Sequence, residues 1–325
     1  MKILGSLATL VLVALIGAGA IFAWGSHAYK QPGPLAETKI ILIEKGSSVR
    51  AIAGILRRED VLAGESFYVF LAAARLTGAK LQAGEYEFTP AITIAGVIGL
   101  LESGKIYQRQ VTFAEGLTSA EIVERLRQMP DLSGDVTDMP PDGSLLPETY
   151  NYSYDTPRAD IISRMQKSMK DTIEVLWAGR AEGLPLATPE EAVILASIVE
   201  KETGVAAERP RVAGVFINRL KAGMPLQSDP TVIYALTEGK TKLDRALTRG
   251  DLSVSSPYNT YQVNGLPPGP IANPGRESIA AVLNPEVHDF LYFVADGTGG
   301  HAFAPTLAEH NRNVGKWREV QKKDR

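Results

Sequence analysis

Thr188-Pro-Glu-Glu-Ala-Val-Ile-Leu-Ala-Ser-Ile-Val-Glu-Lys-Glu-Thr-Gly204 is the stretch from which the rest of this 325-residue chain is read. Thr188 and Glu191 have capping-box spacing, Pro189 suits the first helical position and Gly204 suits a helix end. From Ala192 to Val199 every residue except Ser197 is apolar, so the helix has no wet face and belongs in a core. Glu200 then emerges in the last turn, where the helix end is negative and burial disfavours charge. Both effects raise a carboxyl pKa. A carboxyl kept neutral near pH 7 is a general acid of the kind glycosidases use. The plain alternative is that Glu200-Lys201-Glu202 is the solvated end of a core helix. Glu202 lies about 200° around the helix from Glu200, so the two carboxyls cannot face one site.

Upstream, Ile3 to Trp24 carries no charge and is long enough to span a bilayer as one helix. Lys2 precedes it, which by the positive-inside rule places the remainder outside the cytoplasm. Ala18-Gly-Ala20 has signal-peptidase-like spacing, but the apolar run continues past it, favouring an uncleaved anchor. Gln31-Pro-Gly-Pro34 reads as a linker. Thr38 to Ile43 alternates as a strand, and a helix through Ile52, Ile55 and Leu56 follows. The same order recurs later, with Gly46, Ser48, Ile52 and Leu56 matched by Gly116, Thr118, Ile122 and Leu126. Ser66 to Leu76 reads as a helix, Gly84 to Phe88 as a strand, Thr93 to Glu102 as a helix and Lys105 to Phe113 as a strand.

Pro130 to Pro147, rich in Asp, Gly and Pro, reads as a loop or flap. Ala159 to Ala181 is an amphipathic helix, and Arg209 to Lys221 places Val212, Val215, Phe216 and Leu220 on one stripe. Ser228 or Asp229 caps a helix with Pro230 first. Residues 255–275 hold Pro257, Pro267, Pro268, Pro270 and Pro274 among Tyr258, Tyr261, Asn259, Asn264 and Asn273. This composition suits a stiff polar wall for a groove, or equally a structural Ω-loop. A hairpin around Asp296 to Gly300 and a helix capped by Thr306 and Glu309 complete the chain.

A net charge of −3 with no basic stripe gives no support for nucleic acid as a partner. The absence of cysteine excludes disulfides, thiolate zinc sites, a cysteine nucleophile and a lipoprotein anchor. His27, His288, His301 and His310 lack metal-ligand spacing, so neither metal nor cofactor is expected.

Several ordered stretches resemble the YceG-like (MltG) endolytic murein transglycosylases. They are Ser197 to Thr203, Val215 to Leu220, Leu226-Gln-Ser-Asp-Pro-Thr-Val-Ile-Tyr234, Ser256-Pro-Tyr-Asn-Thr-Tyr261, Gly265 to Pro274, Gly299-Gly-His-Ala-Phe303 and Leu307-Ala-Glu-His-Asn311. Leu146-Pro-Glu-Thr-Tyr150 matches a further element. The resemblance implies an α+β chain: an anchor in residues 1–30, a small LysM-like βα domain in 31–105, and a mixed α/β catalytic domain in 106–325 with a helical core around its glutamate. It implies cleavage of the β-1,4 bond between N-acetylmuramic acid and N-acetylglucosamine within glycan strands, giving 1,6-anhydro ends and terminating nascent strands. Glu200 is then the catalytic residue, and Gln227, Ser256, Tyr258, Asn259, Tyr261 and Asn273 are the substrate-binding candidates. Partners would be peptidoglycan strands, the inner membrane in single-pass topology with the catalytic domain on the periplasmic side, and peptidoglycan synthases. Two other classes stay open: a muramidase pairing Glu200 with Asp229 or Glu148, and a noncatalytic tethered wall-binding protein. Roles for His301 and His310 are not fixed at this level.

Overall fold

The structure is a computed structural model and describes residues 2–323. It divides into two units, residues 1–109 with 151–154, and residues 110–150 with 155–325.

The first unit opens with helix α1 (Lys2–Lys30). Among the described residues, its Leu7–Lys30 span is the one helix long and apolar enough to cross a membrane. Leu10, Val11, Leu12, Ile16 and Phe22 all lie open on its surface. Strands β1 (Lys39–Ile43) and β2 (Gly84–Phe88) pair antiparallel, with Lys39 opposite Phe88 and Ile43 opposite Gly84. Alternation turns Ile41 and Ile43 inward and leaves Ile40 exposed. Helices α2 (Val49–Arg58), α3 (Ser66–Thr77) and α4 (Ile94–Ser103) close the core with Leu56, Phe70, Val97 and Leu101, and Ala28 and Tyr29 of α1 pack against it. The strand expected from Lys105 is shorter, Arg109–Thr112.

In the second unit, α5 (Ser119–Arg127) and α6 (Arg158–Ala178) precede α7 (Pro189–Glu202), around which α8 (Arg209–Lys221), α9 (Asp229–Thr237) and α10 (Arg276–Leu283) pack. Strands β3 (Tyr292–Ala295) and β4 (His301–Ala304) form the expected hairpin, and α11 (Leu307–Lys323) packs on it. All of Ala192 to Val199 is buried, with Leu195, Ile198 and Val199 fully inaccessible. Each such side chain is worth about 1.5–3 kcal/mol, which makes α7 the central pillar. Its polar exception has a purpose: Ser197 Oγ donates to Ile194 O at 2.7 Å and accepts Ile271 N–H at 3.0 Å, pinning the proline-rich loop to the pillar. Thr188 Oγ1 accepts Glu191 N–H at 3.3 Å, but Glu191 reaches back to Ala187 N–H at 2.6 Å, so only half of the capping box forms.

The recurring strand-to-helix passage is real locally. Gly46 and Gly116 have φ of 82° and 77°, and Ser48 and Thr118 cap α2 and α5 in the same extended conformation. Ile52, Leu56, Ile122 and Leu126 are all buried.

The flap expected at Pro130 to Pro147 is instead tied down. Leu145 and Leu146 are buried, and Asp142 accepts Ser119 N–H at 2.6 Å and Tyr234 Oη–H at 2.7 Å. A Cβ on Gly143 would approach Pro270 Cγ within 2.5 Å, so the segment is wedged against the proline-rich loop.

Candidate active site

The last turn of α7 sends its two carboxyls to different surroundings, as the 200° offset requires. Glu200 is enclosed, its side chain 5 % exposed. Its Oε1 is 3.3 Å from Arg209 Nη2 and its Oε2 accepts Gly275 N–H at 2.9 Å. Arg209 Nη2 also reaches Glu115 Oε2 at 2.8 Å. Glycine is needed beside this cluster, because a Cβ on Gly275 would lie 1.9 Å from Glu115 Oε1. Glu200 therefore ties α7 to α8 and to the turn before α10. Both of its oxygens are thus engaged by the protein.

The carboxyl with the character expected of Glu200 is Glu202. Ser228 Oγ donates to its Oε1 at 2.5 Å. Burial, reinforced by Asp229, pushes its pKa up to about 7, against the lowering influence of Ser228, His301 and Arg219. Glu202 has the same intermediate overall exposure as Glu200, and its carboxyl is buried. Arg219, 7 % exposed, is held by backbone carbonyls, donating to Leu226 O and Leu291 O at 2.7 Å each, and lies over the Tyr292 ring at 5.3 Å. Its charge thus acts on the site without a direct carboxylate partner. Tyr261 Oη donates to Asp229 Oδ1 at 2.7 Å; burial and then Asp229 raise the phenol pKa.

Ser228 stands at the N-cap of α9 but makes no side-chain cap, since its hydroxyl is committed to Glu202. Asp229, for which capping was the simpler expectation, serves Tyr261 instead. Ser228 N–H and Gln227 N–H are anchored by Thr260 Oγ1 and Thr260 O, each at 3.0 Å. Gln227 is held at φ 50°, uncommon for a non-glycine residue, with its side chain exposed beside this cluster.

The other candidates divide. Tyr261 joins Glu202, Ser228 and Asp229. Tyr258 and Ser256 lie partly exposed on the same loop, with Tyr258 packed on Tyr234 at 4.8 Å. Asn259 and Asn273, expected at the substrate, are fully buried, with their amides bonded to the backbone and, for Asn273, to Ser119 as well. Asn259 Nδ2 donates to Leu252 O and Val254 O at 3.1 and 2.8 Å, and its Oδ1 accepts Tyr261 N–H at 3.0 Å. Asn273 Nδ2 donates to Leu117 O at 3.0 Å and to Ser119 Oγ at 3.1 Å, and its Oδ1 accepts Leu145 N–H at 3.0 Å. A buried amide must satisfy its hydrogen bonds internally, so both residues brace the wall rather than face the groove.

Glu208 and Arg219 carry no role in the sequence reading. Arg219 sits inside the quoted Val215 to Leu220 stretch, but its partners come from distant loops. His301 pairs with Glu208, whereas His310 stacks on Tyr292 at 5.3 Å and burial lowers its pKa. Among the described residues, no cluster of His, Asp or Glu is arranged to hold a metal ion.

A buried carboxyl with its pKa pushed up to about 7 can give a proton near neutral pH and recover it. Residues 41–316 match the model of the YceG-like family. The chain is 35 % identical to the Bacillus subtilis endolytic murein transglycosylase, over 92 % of this chain and 90 % of that protein. It is 27 % identical to an endolytic murein transglycosylase of Streptococcus pneumoniae, over 94 % of this chain and 63 % of that one. A crystal structure of a yceG-like protein from Listeria monocytogenes superposes with a TM-score of 0.52 at 32 % identity, covering 85 % of this chain and 99 % of that one. With a family model spanning most of its length and a Bacillus relative matched almost end to end, the chain belongs to the YceG-like family.

Proposed function

We propose that this protein is an endolytic murein transglycosylase that cleaves the β-1,4 bond between N-acetylmuramic acid and N-acetylglucosamine, with Glu202 as the general acid. The observation that carries the assignment is Glu202 itself: a carboxyl pushed up to about 7 by burial and held by the Ser228 hydroxyl. Glu202 gives its proton to the leaving oxygen as the C1–O4 bond breaks. The muramic acid C6 hydroxyl closes onto C1, its effective concentration high because it belongs to the same sugar. Its proton then needs an acceptor in the site, for which the new carboxylate is available. One proton-cycling carboxyl in this way replaces the pair that ordinary glycosidases use.

Gln227, Tyr261, Tyr258 and Ser256 form the substrate-facing wall, and Asn259 and Asn273 support it from behind. The α1 helix serves as a single-pass anchor with the second unit on the periplasmic side, where nascent glycan and its synthases lie. The βα unit of residues 38–90 supplies LysM-like contact with glycan. A second reading keeps Glu200 as the acid: Arg209 is nearer Glu115, at 2.8 Å, than Glu200, at 3.3 Å, so its withdrawal to Glu115 would free the carboxyl.

The test is mass spectrometry of isolated glycan strands incubated with the full chain. Anhydro-muramic ends are expected from the parent and from Glu200→Gln, and none from Glu202→Gln. Reducing ends would indicate a hydrolase, and intact glycan a noncatalytic protein.

A further inference from the structure

The spanning helix is built into a folded unit at its far end. At about 1.5 Å per residue, Ile3 to Trp24 covers about 33 Å, close to the ~30 Å hydrocarbon core of a bilayer. Trp24 closes that uncharged run, and tryptophan concentrates at the headgroup level. Helix α1 continues unbroken to Lys30, and one turn past Trp24 its Ala28 and Tyr29 already pack on the core of the first unit. No flexible linker separates the two, so the face of that unit beside Trp24 is held at the bilayer surface.

On that face lies a cavity of about 520 Å³, between the last turns of α1 and the segment that leads into α3. Its lining is apolar at Trp24, Leu62 and Ile92 and polar at His27, Gln31 and Glu65. Glu65 stands at the N-cap of α3 but makes no cap bond, and among the described residues its carboxylate has no hydrogen-bond or ion-pair partner. Gln31 Nε2 lies 2.9 Å from His27 Nε2. With the amide donating, that ring nitrogen is the acceptor and the imidazole proton sits on Nδ1, a donor suited to a phosphate oxygen. The cavity thus offers a carboxylate for an ammonium, a ring N–H for a phosphate and an apolar surface, all at headgroup depth.

We infer that this cavity binds the phosphoethanolamine headgroup of a membrane phospholipid, with the ammonium on Glu65 and the phosphate at His27. This rests on the reading of α1 as an uncleaved anchor. The occupant is a bilayer lipid rather than a soluble phosphate ester, because the apolar lining is covered by the glycerol and upper acyl chains that only a lipid brings. A choline headgroup has the same charge but no N–H, so Glu65 cannot accept a hydrogen bond from it. Selection between the two headgroups therefore reads the contact at Glu65.

The experiment is native mass spectrometry of the full chain released from bilayers of equal parts dioleoyl phosphatidylethanolamine and dioleoyl phosphatidylcholine, for the parent, Glu65→Gln and Gly64→Phe, each checked for fold by circular dichroism. The parent is expected to retain one phosphatidylethanolamine, about tenfold over phosphatidylcholine, as a hydrogen bond to a charged group allows. Glu65→Gln should lose that preference. A Cβ on Gly64 meets nothing within 4 Å, so Gly64→Phe is accommodated by the fold, fills the cavity and should retain neither lipid. If it does not fold, Glu65→Gln decides. Equal retention of the two lipids by the parent, an unchanged preference in Glu65→Gln, or parent-like retention in a folded Gly64→Phe overturns the inference and leaves the anchor standing. An intact mass showing a chain that begins after Ala20 overturns the anchor and the inference together.

Discussion

Ser228 donates its hydroxyl proton to Glu202 across the gap between the start of α9 and the end of α7, at 2.5 Å. A serine at an N-cap position ordinarily bonds the first turn of its own helix. Here that bond is given up, and the hydroxyl holds a buried carboxyl in one orientation.

Ser228→Ala should move the basic limb of the cleavage profile to higher pH. The hydroxyl bonds the charged form preferentially, so its loss raises the carboxyl pKa further. A hydrogen bond to a charged group is worth about 1.5–3 kcal/mol, and one pH unit corresponds to about 1.4 kcal/mol, so a shift of about one unit or more is expected. An unmoved limb in a folded variant would remove Ser228 from the site.

Stability should carry the same signature. The folded pKa of Glu202 lies above its ordinary value of 4.5, so the native state binds its proton more tightly than the unfolded chain does. Its contribution is fully present below about pH 4.5 and is lost as pH rises through about 7. The loss is on the order of 3 kcal/mol. Urea unfolding across this range should show the decline in the parent and a weaker one in Glu202→Gln.

Glu200→Gln should act on the scaffold. The substitution removes the charge facing Arg209 but leaves Glu115 to compensate it. A stability loss of about 1–3 kcal/mol by urea unfolding is expected, with cleavage within about tenfold of the parent. A folded variant with cleavage abolished would transfer the acid role to Glu200.

Asn273→Ala should be worse than most wall substitutions. It leaves Leu145 N–H without its buried partner, while Leu117 O keeps the backbone N–H of residue 273 at 2.9 Å and Ser119 Oγ keeps Pro141 O at 3.0 Å. The unsatisfied N–H costs about 1–3 kcal/mol, so unfolding at lower urea is expected, and activity should fall with the folded fraction. Normal stability with selective loss of glycan binding would return Asn273 to the substrate.

The protein should sediment with membranes after a high-salt wash, because α1 exposes apolar side chains along its whole spanning stretch. Electrostatic attachment would be released by salt, and recovery of a soluble form beginning after Ala20 would identify a cleaved signal instead.

Local order is what the sequence determined by itself. The apolar run of Ala192 to Val199, the cap at Thr188, the paired Gly46/Ser48 and Gly116/Thr118 turns, the alternation of β1 and the hairpin at Asp296 to Gly300 all depend on neighbours a few residues apart. Their spacing therefore exposes them. The ordered motifs were also enough to reveal the family. The tertiary structure alone decided which partners each of the two carboxyls meets. Arg209 and Gly275 come from α8 and a distant turn to Glu200, whereas Ser228 comes from the start of α9 to Glu202, beside Asp229 and its partner Tyr261 of the proline-rich loop. The same holds for Asn259 and Asn273: composition marks them as polar, but only packing shows that their amides face the backbone. Burial, charge and hydrogen bonding at a side chain are set by atoms far away in sequence, and helix phase alone does not specify which atoms those are.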